Sequence, residues 1–224
     1  MPARTLISIL RPVSQLKLYR KGTSVLLQGE LPRTTSVIVD GVVRAYVITP
    51  EGEERVVALY GPGDIFPFAW TYGHSSSSLY YYNALSDVRL LAIDRSVFLQ
   101  TIAASPAATQ ALTHLLSKNY VALLMRITGL VQSRAVEKIA YTFYYFLFRY
   151  GVEREPHIYE IDLKLSQGMI ATLIGQTRES TSKNIKYLKN RGILSYKGLS
   201  YSVDKRKLER FLGEDSFTDL DLQS

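Results

Sequence analysis

The stretch SQGMIATLIGQTRESTSKNIKYLKNRG, residues 166–192, decides how the rest of the sequence is interpreted. Four apolar residues at helical spacing predict a first helix with one apolar face: Met169, Ile170, Leu173 and Ile174. Gly175 suits a tight turn, because glycine tolerates left-handed backbone. Thr177 or a neighbour can cap a second helix, which turns Ile185 and Leu188 inward and ends at Gly192. Two short helices joined by a tight turn are therefore expected.

The other face of the second helix is polar and positively charged. In a helix-turn-helix, the N-terminal residues of the second helix read base edges in the DNA major groove. Arginine can hold a guanine through two hydrogen bonds, and glutamate accepts from cytosine. An ordinary helical hairpin with a solvated polar face is the alternative. The predicted DNA-contacting residues, with one from the segment that follows, are Gln176, Thr177, Arg178, Glu179, Ser182, Lys183, Lys186 and Lys197.

The longer run LSQGMIATLIGQTRESTSKNIKYLKNRGIL resembles the DNA-binding motif of the CRP/FNR superfamily, the cyclic-AMP receptor protein and fumarate-nitrate regulator transcription factors. The most specific part of the likeness is Gly175-x-x-Arg178-Glu179. The resemblance implies a sequence-specific transcription regulator that binds double-stranded DNA and works with RNA polymerase.

Composition excludes several classes of protein. The 224 residues can form two small domains. The absence of cysteine excludes disulfides, thiolate metal sites and cysteine-bound iron–sulfur clusters. No apolar run approaches the roughly 20 residues that a membrane span needs. The start, MPARTLISILRPVSQ, is too broken by Ser, Arg and Pro for a signal peptide. A cytoplasmic protein without membrane partners is expected.

The net charge of +7 is unevenly distributed. Residues 164–210 hold eleven Lys and Arg against three acids, whereas the tail from residue 211 carries −4. The positive surplus coincides with the predicted helix-turn-helix, as attraction to DNA phosphates requires.

Residues 1–105 read as short strands separated by turns and are expected to form a sensory domain. Asp40-Gly41 and Glu51-Gly52 each lie between apolar runs and give hairpin signals. An antiparallel barrel or jelly roll is the natural closed form of such strands. The glycine spacing resembles the cyclic-nucleotide-binding fold of the same superfamily, so the resemblance covers nearly the whole chain. The expected fold class is α+β.

Residues 106–132 are expected to form a long dimerisation helix. Apolar residues follow one another at alternating spacings of four and three, which is the pattern of a coiled-coil seam: Leu116, Tyr120, Leu123, Ile127 and Leu130. The alternative is that one face packs on the barrel, which a second stripe of Leu112, Leu115 and Ala122 could do instead. Asn119 and Arg126 make that second stripe poor core. A homodimer with a break near residues 129–133 is predicted.

Residues 133–224 are expected to form a winged helix-turn-helix domain. An aromatic-rich helix over 135–150 supplies core, GVEREPH is a connector, and two strands around Lys197-Gly198 form the wing. The acidic end, SFTDLDLQS, is expected to be a mobile tail.

Cyclic AMP is not the expected effector. The family's nucleotide pocket uses a Gly-Glu-Leu turn, an Arg-Ser-Ala run that grips the phosphate, and a Thr-Ser pair on the long helix. An ungapped register from Gly63-Asp64 to Ala84 places at these polar positions Pro67 and Phe68, Ser78 and Leu79, and Leu123 and Leu124. A buried phosphate without its arginine is costly.

The barrel is instead rich in aromatic residues, which indicates an apolar effector pocket or one filled by its own side chains. Candidate ligand-binding residues are Phe68, Trp70, Tyr80, Tyr82, Leu123 and Leu124. His74 raises a haem-based gas sensor as an alternative, but Ala69 stands where that family histidine would fall, so a surface histidine is expected. His114 and His157 are isolated, so neither a metal nor a cofactor is predicted.

Two other classes of function compete with a regulated transcription factor. One is an effector-independent, constitutive DNA binder. The other is an enzyme, which the sequence does not favour, because it has no cysteine nucleophile, Ser-His-Asp arrangement or metal-ligand cluster.

Overall fold

A computed structural model describes residues 2–213; the acidic end SFTDLDLQS, predicted to be mobile, lies outside them. The chain begins with helix α1 (Pro2–Leu10), followed by eight strands and a short helix. In chain order they are β1 (Gln15–Tyr19), β2 (Ser24–Leu26), β3 (Thr35–Asp40), β4 (Val43–Ile48), β5 (Glu54–Tyr60), β6 (Ile65–Phe66), α2 (Phe68–Thr71), β7 (Tyr81–Ala84) and β8 (Val88–Ile93). The strands form two antiparallel four-stranded sheets of order β1-β8-β3-β6 and β2-β7-β4-β5. The predicted jelly roll is confirmed.

One of the two predicted hairpins exists. Strands β4 and β5 pair across Glu51-Gly52, from Val43 opposite Tyr60 to Ile48 opposite Glu54. The hairpin prediction at Asp40-Gly41 is wrong, because β3 and β4 lie in different sheets.

Gly41 has a different role from that of a hairpin glycine. Its φ is +85°, and a Cβ atom there would lie 2.2 Å from the carbonyl oxygen of Asp87. The glycine is needed because the chain crosses from one sheet to the other against the backbone before β8.

Helix α1 lies where only strands were predicted. Leu6 and Leu10 are fully buried in a core that also contains Leu91, Ile93 and Phe98. Helix α3 (Arg95–Ala104) and the first half of helix α4 (Pro106–Leu130) contribute to this core through Phe98, Ile102, Ala108 and Leu112. The chain divides into two compact units between Lys118 and Asn119, within α4.

The second unit surrounds helix α5 (Ala135–Tyr150), whose aromatic residues are buried as expected of core. Phe143 lies edge-on to Phe146, and the hydroxyl of Tyr144 donates to Glu209 Oε1 at 3.0 Å. The remaining elements are β9 (Gly151–Glu155), β10 (Ile158–Ile161), α6 (Gln167–Ile174), α7 (Arg178–Asn190), β11 (Leu194–Lys197), β12 (Ser200–Asp204) and α8 (Lys205–Leu212).

The connector prediction for GVEREPH is wrong, because most of that segment forms β9. It pairs with β10 in a sheet of order β11-β12-β10-β9, so the predicted two-stranded wing is extended to four strands. His157 turns the hairpin with a φ of +69°. The sequence gives little indication of this strand, because β9 is exposed along most of its length and lacks an alternation of apolar residues.

Candidate nucleic-acid interface

Helices α6 and α7 form the two-helix unit predicted from residues 166–192. The hydroxyl of Ser166 caps α6 by accepting from the Met169 N–H at 3.1 Å. Gly175 ends α6 in the left-handed conformation, with φ 64° and ψ 38°. The Gln176 N–H then returns to the Ala171 carbonyl at 3.1 Å, which closes the turn.

Thr177 starts the second helix, as one of the predicted caps. Its hydroxyl accepts from the Ser180 N–H at 3.2 Å. The charged residues predicted to contact DNA are exposed: Arg178, Glu179, Lys183 and Lys186 on α7, and Lys197 on the wing. Within residues 2–213 none of these five side chains forms an ion pair or a hydrogen bond, so all five remain available to a ligand. Gln176 and Ser182 are half-buried beside them.

The inward face of α7 holds Thr181, Ile185 and Leu188, all fully buried. The hydroxyl oxygen of Thr181 is buried on this face and has no hydrogen-bond partner among the described residues. Because Thr181, Ile185 and Leu188 are buried on one side of α7, the rotation of the helix about its axis is fixed. The charged residues therefore lie on the opposite, exposed side.

The wing adds a lysine that the sequence did not single out. Gly198, with φ 61°, turns the chain between β11 and β12, and Lys197 pairs with Ser200. The Nζ atom of Lys164 contacts the Ser200 hydroxyl, so Lys164 stands beside the wing. In the sequence, only the position of Lys164 just before the cap of α6 could have suggested that it lies near the DNA-binding face. Three side chains able to bind phosphate thus lie together at residues 164, 197 and 200.

Helix α4 carries two stripes of different character. The five residues of the predicted seam are between 37% and 62% exposed: Leu116, Tyr120, Leu123, Ile127 and Leu130. The alternative stripe packs within the chain, since Leu112 and Ala122 are buried and Leu115 packs on the first unit's core. Its two polar residues are used, because Asn119 accepts from Arg149 and Arg126 donates to the Leu173 carbonyl.

A cluster of aromatic side chains lies in the interior of the barrel. Phe66 and Tyr82 stack with ring centres 4.7 Å apart, and Tyr60 lies within 6.0 Å of both rings. Tyr80 packs against the same cluster. Burial, and then the neighbouring phenol of Tyr60, raise the pKa of Tyr82 well above its usual value. The candidate ligand residues Tyr80 and Tyr82 thus belong to the packed interior.

The other candidate ligand residues are not in that cluster. Phe68 packs on the separate core formed with α1 and α3, where its ring centre is 4.6 Å from that of Tyr72. Trp70 is buried beneath the Arg95 guanidinium, 5.4 Å from the ring centre. Leu123 and Leu124 are exposed on α4. The six residues therefore do not line one pocket of the first unit.

The residues matched to the family's polar anchors have other roles. Ser78 is buried and its hydroxyl donates to the Tyr80 carbonyl at 2.7 Å, while Leu79 is 45% exposed. His74 is exposed in the turn after α2.

Two family models match the chain in the order of its two units. Residues 16–105 match the cyclic nucleotide-binding domain, and residues 137–211 match the Crp-like helix-turn-helix domain. Together they cover most of the barrel and of the second unit. The chain belongs to the CRP/FNR superfamily.

Relatives in this superfamily match most of this chain over most of their own length. A CRP-like cAMP-activated global transcriptional regulator of Mycobacterium tuberculosis is 24% identical over 195 residues, which cover 86% of this chain and 85% of that protein. The cyclic AMP receptor protein of Thermus thermophilus is 28% identical over 182 residues, with 80% and 79% covered. A mutant of CooA from Carboxydothermus hydrogenoformans has the same fold, with a TM-score of 0.73 at 23% identity over 92% of this chain and 90% of that one.

The chain is thus a CRP/FNR-type transcription regulator with a helix-turn-helix DNA-binding domain. Two further properties follow from residues 2–213. None of their helices is long and apolar enough to cross a membrane. They contain no cluster of three or more His, Asp or Glu side chains that could hold a metal ion.

Proposed function

We propose that this regulator works as a homodimer on a pseudo-palindromic operator. Residues 1–105 would form its sensory domain, 106–132 its dimerisation helix and 133–224 its DNA-binding domain. Two-fold-related α7 helices then enter successive major grooves. The observation that carries the proposal is the row of exposed, unpaired charged residues on α7, held outward by the buried anchors Ile185 and Leu188.

The charged row divides into base readers and phosphate contacts. Arg178 and Glu179 occupy the first turn of α7, where recognition helices approach base edges. Arg178 pairs with a guanine, and Glu179 accepts from a cytosine. Lys183 lies about one turn further on, but an ammonium lacks the fixed fork of a guanidinium, so its base contact is less selective. Lys186 and Lys197 contact phosphates.

The exposed stripe of α4 supports the proposed dimer. Five large apolar side chains at coiled-coil spacing are at least 37% exposed in the single chain. Burying each against an identical helix contributes up to about 1.5–3 kcal/mol for a fully covered aliphatic side chain. Isologous pairing places two DNA-binding domains about one two-fold axis, which the operator symmetry mirrors.

The test begins by selecting bound sequences from random DNA and then measures affinity for single-base variants of the selected operator. Arg178→Ala should cost about 1–3 kcal/mol per half-site and relax the preference at one base pair. The matched control, Lys186→Ala, should weaken binding to all variants alike and reduce the salt slope by about one. Full base preference in Arg178→Ala would show that α7 is not the reader.

We also infer that neither cyclic AMP nor cyclic GMP is the effector. The observation that supports this is the cluster of Tyr60, Phe66 and Tyr82 in the barrel interior, because the described residues packed in that cluster are apolar or aromatic and include no arginine to pair with a phosphate. A regulator with a self-filled barrel acts constitutively or responds to a small molecule of another class. A haem sensor is the weaker alternative, because His74 is exposed.

Calorimetry with each nucleotide tests this inference, with the thermal unfolding midpoint as a second readout. Neither nucleotide should release heat above dilution or raise the midpoint. A site of micromolar affinity for either one would contradict the inference. The absorption spectrum of the purified protein should contain no haem band, and a Soret band would revive the gas-sensor alternative.

The remaining partners follow from promoter binding. A DNA-bound regulator of this kind acts in the cytoplasm through RNA polymerase, by recruiting or excluding it. No enzymatic activity is proposed, because the exposed charged row serves DNA recognition.

A further inference from the structure

Arg126 reaches from the dimerisation helix to the helix-turn-helix. Its Nη2 atom donates to the carbonyl oxygen of Leu173 at 3.2 Å. Leu173 is in the last turn of α6, where helix carbonyls lack the usual partner four residues later because the chain leaves the helix at Gly175. A guanidinium is favourable there, since the negative end of the helix dipole lies at the C-terminus.

The side chain of Arg126 lies among buried residues, so removing its charge from water costs free energy that packing alone does not require. It lies in the inward stripe of α4 between Ala122 and Gly129, next to Met125, and all three of these neighbours are buried. Burial lowers the pKa of Arg126, while the phenols of Tyr145 and Tyr150 on α5 act in the opposite direction. A methionine or leucine would fill such a stripe with less desolvation. The presence of an arginine here is explained by the hydrogen bond that its guanidinium donates to the Leu173 carbonyl.

The second half of α4 is fixed to the DNA-binding domain at three levels. Near its start Asn119 accepts from Arg149 of α5. Near its end Gly129 crosses α5 so closely that a Cβ atom there would lie 2.8 Å from the Cβ of Tyr141. Arg126 makes the contact between these two and is the one that extends beyond α5 to α6.

A short path leads from this contact to the base-reading residues. Leu173 is followed by Ile174, the left-handed Gly175 and the cap Thr177, and Arg178 begins α7. The turn is closed by the Gln176 N–H on the Ala171 carbonyl, so it moves with α6. A shift of the Leu173 carbonyl relative to α4 therefore moves the first turn of α7 relative to the seam on the outer face of α4.

We propose that Arg126 is a positioning residue that sets the orientation of the recognition helix relative to the dimerisation helix, and thereby the half-site spacing that the dimer accepts. The proposal rests on the proposed function, because spacing has meaning only for two linked recognition helices. Arg126 itself touches no DNA base in this scheme. It acts through the end of α6.

The experiment measures affinity for operators whose two half-sites are moved apart or together by one or two base pairs. The wild-type dimer should prefer one spacing by about tenfold or more, since two rigidly placed helices fit one separation. Arg126→Met keeps an unbranched, mostly apolar stem and removes the charge and the hydrogen-bond donors. It should reduce that preference to about threefold or less, yet bind a single half-site within about twofold of wild type.

Two variants separate positioning from general stability. Arg149→Met removes the contact of Arg149 with Asn119 of α4 without touching α6, and it should retain the wild-type spacing preference. Arg126→Lys keeps the charge and an N–H donor group, and it should restore most of the preference. If Arg126→Met does not fold, Arg126→Gln, which also loses the charge and shortens the side chain, carries the same expectation as the methionine variant.

Three results have distinct meanings. An unchanged spacing profile in folded Arg126→Met or Arg126→Gln overturns the proposal. An equal loss of affinity at every spacing and on the single half-site also overturns it, because that is the signature of a structural role. A wild-type protein that shows no spacing preference would instead overturn the dimeric operator-binding function.

Discussion

Thr181 is a side chain of α7 whose burial lowers the stability of the folded protein. Its hydroxyl is buried on the inner face of α7 and has no hydrogen-bond partner among the described residues. An unsatisfied buried hydroxyl destabilises the folded state by about 1–3 kcal/mol, and an apolar group of the same shape removes that cost.

Thr181→Val should therefore stabilise the protein by about 1 kcal/mol and raise the melting temperature by roughly 4 °C, with DNA affinity unchanged. Thermal unfolding followed by circular dichroism measures the shift. Thr172→Val is the matched control, because the Thr172 hydroxyl donates to the Met169 carbonyl at 2.8 Å and its loss should not stabilise. Equal destabilisation by both changes would mean that an ordered water satisfies Thr181.

At the residue scale, local chemistry was predictable and long-range pairing was not. The cap Thr177 and the turn at Gly175 follow from rules that involve neighbours along the chain. Lys164 lies 36 residues before Ser200, so its place beside the wing depends on how α6 and the wing pack. The sequence marks Arg126 only as poor core, and nothing in it relates Arg126 to Leu173, 47 residues away.

At the scale of elements, helix α4 has one apolar face that the rest of the chain leaves exposed. The predicted apolar seam is exposed while the opposite stripe is packed, and the proposed homodimer would bury the exposed stripe. The alternation of four and three residues predicted which stripe this would be, because it differs from the period of a helix that packs on a globular core.

Replacing Leu123 and Ile127 together by Glu should convert the proposed dimer to monomers and greatly weaken binding to a two-half-site operator. Two carboxylates would otherwise be buried against their counterparts in the other chain. Sedimentation velocity gives the oligomeric state. Gln110→Glu with His114→Glu adds two carboxylates at the same spacing to exposed positions before the seam, and it should leave the dimer intact. A dimer that survives the seam change would refute this interface.

Elements with an apolar alternation or a strong helical period were recovered from the sequence, and the others were not. Strand β9 was missed because it is exposed, and α1 was missed because nine residues give few helical repeats. The Asp40-Gly41 turn was misassigned for a different reason. The dipeptide signals a reversal of the chain, but only the packing of two sheets decides whether the flanking strands pair.

For the whole molecule, both units bury tyrosines that resist ionisation. Burial is the first cause of the raised pKa in Tyr82 of the barrel and in Tyr144 and Tyr201 of the second unit. For Tyr201 it raises the pKa to about 12, with Tyr196 adding to the effect. These three phenols hold their protons in the folded chain at a pH where they would release them in the unfolded chain.

The sign of the resulting pH dependence follows from this difference. Below about pH 10 the phenols are neutral in both states, so their burial adds no pH dependence. Above it, the unfolded chain binds fewer protons than the folded chain, so stability falls as pH rises. Each such tyrosine contributes a slope of up to about 1.4 kcal/mol per pH unit until its folded pKa is reached.

Urea unfolding between about pH 9 and about pH 11.5 should therefore show a progressive loss of stability, with tyrosinate absorbance appearing as the chain unfolds. Tyr201→Phe removes one proton from the balance and should flatten the slope by about one tyrosine's share. Tyr187→Phe is the matched control, because Tyr187 is 41% exposed, and it should leave the slope as in wild type. A slope that Tyr201→Phe does not change would mean that the Tyr201 phenol reaches solvent in the native protein and ionises there.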